Sequence, residues 1–488
     1  MQGLSTAASW TGAVVVLMAT WWMTEPIPLA ATACIPIVVY PFIGAAQVHE
    51  VVLQYFDPVN WLFLGGMLIA GSMQQWGLHR RIALGIIAAI GASPRRIVLG
   101  FMLATGFVSL WISNTATTVM MFPIAMAVLL KLSEQSGSDE RALRAFGLSL
   151  MLGIAYAASI GGIGTKIGTA PNIIMIKQAQ DVLGREIDFA TWMSIGLPIV
   201  LIALPVVYLF LVRVAAPVPV AGFAGSAEVI AAERAGLGRM GTGERVALVA
   251  FLSAAFLWIF RKDIELGSFT IPGWSRLWTL GWEDFIGRSV DTLPAALAKL
   301  MKQDVGDAAV SMSIAVALLL IPVSVRPFRT ALDLSRAARA PWALLVLLGG
   351  GLAMAYGMQQ SGLSAYLAGL LQGVGPVSPF TALLLVSFAS LFLTEVASNV
   401  ATASILVPLV AAGAESFGLH PAPLMFAATL SASFGFMLPA GTPPNAIVYS
   451  SGYITVPQMV RAGLAVDIFG ALLVATFCYF FVPAILGL

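Results

Sequence analysis

Two triplets of small polar residues interrupt long apolar stretches of this chain: Ser113-Asn114-Thr115 and Ser398-Asn399-Val400. Each has a hydroxyl four residues before its serine, Ser109 in the first case and Thr394 in the second. Within a helix that spacing stacks two oxygens on one face. Small polar side chains at such points break a helix and expose backbone groups. Half-helix N-termini favour anions, while unwound carbonyls and side-chain oxygens suit a sodium ion. The plainer role is also open, since Ser, Asn and Thr glue helices together in membranes. Two turns of related sequence break further apolar segments, Gly168-Thr169-Ala170-Pro171-Asn172 and Gly441-Thr442-Pro443-Pro444-Asn445. Proline removes a backbone donor and frees a carbonyl, and glycine lets the chain approach a ligand closely.

The elements that position these residues must lie in a membrane. Of 488 residues, 59% are hydrophobic and only 10% charged. The mean hydropathy of +0.92 is too apolar for a chain whose solvent is water. These values exclude a cytosolic enzyme, a nucleic-acid binder and a secreted disulfide scaffold. The net charge of +2 implies no polyanionic partner. Two cysteines and three histidines offer neither a disulfide framework nor a His-rich metal site. The N-terminus lacks the basic start of a signal peptide, so its first apolar run reads as a membrane helix.

A crossing needs about 20 mostly apolar residues. Full crossings are expected at 7–23, 27–46, 59–78, 191–214, 245–261, 307–324, 341–360 and 462–485. The stretches 95–131 and 378–413 are long enough for helical hairpins with a polar triplet in the middle. The stretches 146–180 and 421–452 read as helices broken by Gly and Pro. The fold class expected is an all-α polytopic membrane protein of about ten crossings. Basic residues gather at 79–96, 131–144, 213–245 and 326–339, whereas no Lys or Arg lies between Arg339 and Arg461. The positive-inside rule puts those basic groups in the cytoplasm and the mouths of the second hairpin outside.

The halves repeat. Met73-Gln-Gln-Trp-Gly-Leu78 matches Met358-Gln-Gln-Ser-Gly-Leu363, and one constant offset also carries Gly65-Gly66 onto Gly350-Gly351 and Ser113-Asn114 onto Ser398-Asn399. The two Gly-Thr-x-Pro-Asn turns follow in the same order. One hairpin is flanked by basic residues and the other by none, so the repeats are expected to be inverted across the membrane, with a site where broken helices meet near the midplane. Residues 1–26 then form an N-terminal helix, 27–214 the first repeat, 215–306 connecting loops with the helix at 245–261, and 307–488 the second repeat.

Ile112-Ser-Asn-Thr-Ala-Thr117, Ser398-Asn399, the paired turns and Thr24-Glu-Pro-Ile-Pro28 resemble the divalent anion/sodium symporters, which carry dicarboxylates, citrate or sulfate. The resemblance covers nearly the whole chain. It implies a homodimer in the cell's inner membrane, working by an elevator motion of a substrate-carrying domain against a scaffold. It implies a first sodium site at Ser109, Ser113, Asn114 and Gly168, and a second at Thr394, Ala397, Asn399 and Gly441. The substrate would meet Asn114, Thr115, Asn399, Thr442 and Pro443, with Val400 standing where the family has threonine. Lys166 is a second departure. It is expected either to act as a fixed charge replacing the first sodium ion or to snorkel to the interface. Family members commonly carry another helix before the one at 7–23.

The reading is therefore secondary transport of a small divalent anion, most simply sodium-coupled uptake of a C4-dicarboxylate such as succinate, malate or fumarate. The alternatives are sodium-independent exchange, or citrate or sulfate as substrate. A channel would need a continuous polar pore. An enzyme would need a nucleophile with its base, and His49, His79 and His420 all lie near loops. Glu395 reads either as lining the sodium path or as a structural pair. Asp467 is expected near the cytoplasmic end of the last helix, beside Arg461 or water. Trp21, Trp22, Trp61 and Trp111 read as interfacial anchors.

Overall fold

The computed structural model describes residues 4–91, 93–133, 140–219, 226–266, 269–276, 305–371 and 377–488. Residues 277–304, within the connecting region expected at 215–306, lie outside the described residues. Among the described residues, seven helices are long and apolar enough to cross a membrane by length and composition. Two of the other expected crossings, 27–46 and 307–324, are shorter, and local breakers account for it.

Helix α1 (Thr6–Thr24) starts at Ser5, whose hydroxyl accepts the Ala8 N–H at 3.0 Å. The stretch 27–46 is split into short helices at Leu29–Thr32 and Ile35–Ile43. Pro36 sits in the first turn of the second piece, where a missing N–H costs nothing. Helix α2 (Pro58–Trp76) is capped by Asp57, which accepts the Val59 N–H at 2.9 Å, and stops at Gly77 in the left-handed conformation, φ 75°.

The first hairpin is α3 (Pro94–Ser109) and α4 (Asn114–Ser133). The first broken helix is α5 (Glu140–Gly162) and α6 (Ala170–Leu183). Then come α7 (Phe189–Phe210), prolonged by a π-helical turn to Ala215, and α8 (Thr242–Ile259). Helix α9 (Asp307–Leu320) ends sooner than the expected crossing 307–324, because Ile321 is extended and Pro322–Val325 pairs with Phe328–Thr330 as a β-hairpin. Helix α10 (Trp342–Gln360) precedes the second hairpin, α11 (Pro379–Val396) and α12 (Asn399–Gly413). The second broken helix is α13 (Pro421–Ser431) and α14 (Pro443–Tyr449), followed by α15 (Val456–Phe480).

Two groups of helices emerge from the packing. Helix α5 is the axis of the larger bundle, with every residue from Phe146 to Gly162 buried against the hairpin arms α3 and α4 and against α14. Its glycines permit this approach: a Cβ on Gly161 would lie 2.4 Å from the Gly106 carbonyl oxygen of α3. The second hairpin packs on α13 and α15 in the same bundle. The other group is built on α2 against α9, where a Cβ on Gly65 would meet Ser311 at 2.5 Å, and includes α8, while α10 touches α2 and also α12 of the bundle. We call this second group the framework. The hairpin at 322–330 belongs to it, because Ser72 and Trp76 of α2 both donate to the Ala331 carbonyl at 2.8 Å.

Candidate functional site

Each hairpin breaks at its polar triplet because a side chain takes over the capping of the next helix. Ser398, with extended backbone, accepts the Ala401 N–H at 3.2 Å and so starts α12. Ser113 faces the Ala116 N–H at 3.4 Å before α4. Behind each break the same pair recurs. The Ser109 hydroxyl lies 2.9 Å from Asn114 Oδ1 and 2.7 Å from the Ala158 carbonyl. The Thr394 hydroxyl lies 2.7 Å from Asn399 Oδ1 and 2.8 Å from the Ala432 carbonyl.

The broken helices are matched as well. Asn172 Nδ2 donates to the Gly162 and Thr165 carbonyls at 3.0 and 2.7 Å, and Asn445 Nδ2 donates to the Gly435 and Leu438 carbonyls, both at 3.0 Å. Thr169 and Thr442 share nearly one conformation, φ −145° and −143°. Each asparagine thus ties down an unwound loop that would otherwise leave backbone groups unpaired at membrane depth. The loops come very close to the triplets. A Cβ on Gly162 would lie 2.4 Å from Asn114 Oδ1, and one on Gly168 would lie 2.4 Å from the Gly162 carbonyl oxygen.

A cavity of about 750 Å³ opens where these parts meet. It is lined by Ser113, Asn114, Thr115 and Gly168 from the first half, and by Ala397, Ser398, Asn399, Val400, Gly441, Thr442 and Pro443 from the second. All six residues expected to touch substrate line it. Ser109 and Thr394 are fully buried behind Asn114 and Asn399. Among the described lining residues, Glu25 carries the one charged side chain, and no Lys, Arg or His is present. Three helices of eight residues or more, α4, α6 and α12, begin at the cavity.

The oxygen set is chemically specific. A hydroxyl has one proton to give. When Ser109 gives it to Ala158, or Thr394 to Ala432, the hydroxyl lone pairs and the asparagine Oδ1 are free for a cation. These are neutral hard oxygens, the donor type that suits sodium. Among the described residues no group of three His, Cys, Asp or Glu could hold a metal ion. Thr442 Oγ1 is buried without a protein partner at the cavity wall.

Lys166 takes neither arrangement open at the sequence level. It is 2% exposed, does not line the cavity, and places Nζ 2.6 Å from Asp307 Oδ2 at the start of α9. Asp307 Oδ1 is also 2.7 Å from Arg261 Nε. A buried ammonium needs a fixed counter-charge, and Asp307 supplies it. Asp467 departs from expectation too. It is fully buried within α15, away from water. Glu395 accepts the Met437 and Leu438 N–H groups at 2.8 and 2.9 Å, so it pins the unwound loop beside the second triplet. Of the expected interfacial tryptophans, Trp22 is buried, donates to the Leu29 carbonyl at 3.2 Å and lines the cavity. Trp111 stacks on Phe189. Thr169 also lines the cavity; its place in the repeated turn was the available signal.

Helices long and apolar enough to cross a membrane, with broken helices meeting at a shared cavity, fit a membrane transporter. The whole chain, residues 1–488, matches the model of the sodium:sulfate symporter transmembrane region, and the protein belongs to that family of membrane transporters. It is 37% identical over 479 residues to a sodium-dependent dicarboxylate transporter of Staphylococcus saprophyticus, covering 98% of this chain and 86% of the relative. The corresponding transporter of Staphylococcus aureus strain MRSA252 is 36% identical over the same length, with the same coverage. Among solved structures, the Alcanivorax borkumensis YdaH transporter shares the fold with a TM-score of 0.55 at 14% identity, covering 95% of this chain and 97% of that one. Neisseria gonorrhoeae MtrF gives 0.51 at 13% identity, covering 98% and 96%.

Proposed function

We propose that the protein takes up C4-dicarboxylates such as succinate, malate or fumarate, coupled to sodium. The observation that carries this reading is the cavity itself: both polar triplets and both turns line it, and among the described residues no cationic side chain does. A dianion there must be neutralised by helix N-termini and by bound cations. Substrate and sodium therefore each bind better when the other is bound, which is the thermodynamic basis of coupling. Lys166 is engaged by Asp307, so the oxygens of the first sodium site keep room for an ion. That favours symport over sodium-independent exchange.

The two sodium sites are Ser109, Ser113, Asn114 and Gly168, and Thr394, Ala397, Asn399 and Gly441. Asn114, Thr115, Asn399, Thr442 and Pro443 hold the carboxylates. Val400 offers a methyl face in place of a hydroxyl. The bundle carries this site past the framework as an elevator, in a homodimer with inverted repeats. In the arrangement seen, Trp22, Thr24 and Glu25 at the end of α1 and Leu344 of α10 also line the cavity, and the basic-residue pattern puts them at the cytoplasmic end.

Competition tests the substrate class. Unlabelled succinate, malate and fumarate should each suppress sodium-driven uptake of labelled succinate into proteoliposomes. Suppression by sulfate or citrate alone would overturn the C4-dicarboxylate assignment.

A further inference from the structure

Five charged side chains gather beside the framework, away from the cavity. Lys166 sits in the unwound loop between α5 and α6, within the bundle. Asp307 opens α9 and Arg261 follows the end of α8, both in the framework. Lys166 Nζ lies 2.6 Å from Asp307 Oδ2, and Arg261 Nε lies 2.7 Å from Asp307 Oδ1. Lys166, Arg261 and Asp307 are 2%, 0% and 4% exposed. The backbone of Asp307 is fixed as well, since its carbonyl accepts the Trp258 indole N–H at 3.1 Å. Glu186, on the loop after α6, pairs with Arg261 and, at 2.6 Å, with Lys262.

The placement is what matters. Ile167, next to Lys166, already touches the framework, since a Cβ on Gly66 of α2 would lie 3.1 Å from its Cδ1. Gly168, a sodium ligand on the reading above, is two residues further on. The loop that frames the first sodium site is thus tied by an ion pair to the body against which the bundle slides. We propose that Lys166 is a docking residue: its pair with Asp307 holds the bundle on the framework in the arrangement seen, and the pair parts in every transport cycle. This inference rests on the elevator reading.

The charges are distributed so that parting is feasible. Asp307 keeps Arg261 when Lys166 leaves, so the framework is not left with a lone buried carboxylate. Glu186 leaves on the same body as Lys166, giving up Arg261, which keeps Asp307, and Lys262, which is partly exposed, and is then free to take the Lys166 ammonium. Breaking a buried pair without such a substitute would be strongly unfavourable. The pair acts on the balance between two arrangements and not on substrate contact. Its loss should change the populations and the turnover more than the affinity for succinate.

The test is a distance measured by pulsed electron–electron resonance in the full chain reconstituted in lipid. Spin labels are placed at Ser133→Cys at the end of α4 and Val325→Cys on the framework hairpin, both exposed sites, with Cys34 and Cys478 replaced by Ala. Distances are recorded in choline chloride and in sodium chloride with succinate. Lys166→Met should move the ratio of short to long distances by about tenfold or more relative to the unsubstituted chain. Asp307→Asn should move it in the same direction, and Lys166→Arg should restore the original ratio. A distribution that responds to sodium and succinate but is identical in the unsubstituted, Lys166→Met and Asp307→Asn proteins would overturn the docking role while leaving the elevator standing. A distance that never changes under any condition would overturn both.

Discussion

Replacing Thr394 by Val removes one oxygen and keeps the shape of the side chain, so it isolates what that hydroxyl does. In the structure the hydroxyl faces two acceptors, Asn399 Oδ1 at 2.7 Å and the Ala432 carbonyl at 2.8 Å, and it can satisfy only one at a time. Thr394 is fully buried, so water does not replace the lost donor. Losing one such hydrogen bond costs roughly 0.5–1.5 kcal/mol of stability, and stranding its acceptor brings the total to about 1–3 kcal/mol. The chain should therefore fold, with a lowered melting temperature. The sodium effect is larger and separable. If the oxygen contacts the cation, its loss is comparable to a contact with a charged group, about 1.5–3 kcal/mol. That corresponds to a sodium half-saturation raised roughly 10- to 150-fold. The assay is sodium titration of labelled succinate uptake in proteoliposomes, with Thr394→Ser as the variant that keeps the hydroxyl. A half-saturation within about twofold of the original in folded Thr394→Val protein would refute the sodium role of this oxygen.

Three further outcomes follow from the same geometry. Asn114→Ala and Asn399→Ala should each abolish uptake while leaving a cooperative thermal transition, because both carboxamides line the cavity and sit at helix starts; near-normal rates in either would remove that residue from the site. Gly162→Ala should lose sodium-dependent uptake, since its Cβ would lie 2.4 Å from Asn114 Oδ1, and uptake equal to the original would show that the loop can yield. Val400→Thr puts a hydroxyl back on the cavity wall and should change the rank order of succinate, malate and citrate as competitors, with an unchanged order placing Val400 outside the selective contacts.

The candidate site was more legible in the sequence than the fold around it. The triplets announced themselves because polar residues interrupting an apolar run need a reason, and their duplication supplied one. The turns were legible for the same cause: Gly and Pro in a membrane segment force an unwound backbone, and Asn172 and Asn445 are there to tie it. The charges were not legible. Lys166 and Asp307 are 141 residues apart, and nothing local distinguishes an ammonium that finds a buried carboxylate from one that reaches the interface or a sodium site. The burial of Asp467 was hidden for the same reason, while Arg461 on the same helix offered a misleading partner. Element ends also escaped the hydropathy pattern. The run 307–324 is predominantly apolar, yet Pro322 starts a strand, because apolarity alone does not separate helix from extended chain.

The central claim is that sodium drives a dicarboxylate through this cavity, and a concentrative uptake measurement tests it most directly. Proteoliposomes holding the purified protein and no internal sodium are given labelled succinate with sodium chloride or with choline chloride outside. The account predicts accumulation of succinate above the external concentration in sodium, collapse of the gradient on adding a sodium ionophore, and background uptake in choline. Equal uptake in both salts that requires a dicarboxylate preloaded inside would contradict it and identify an exchanger.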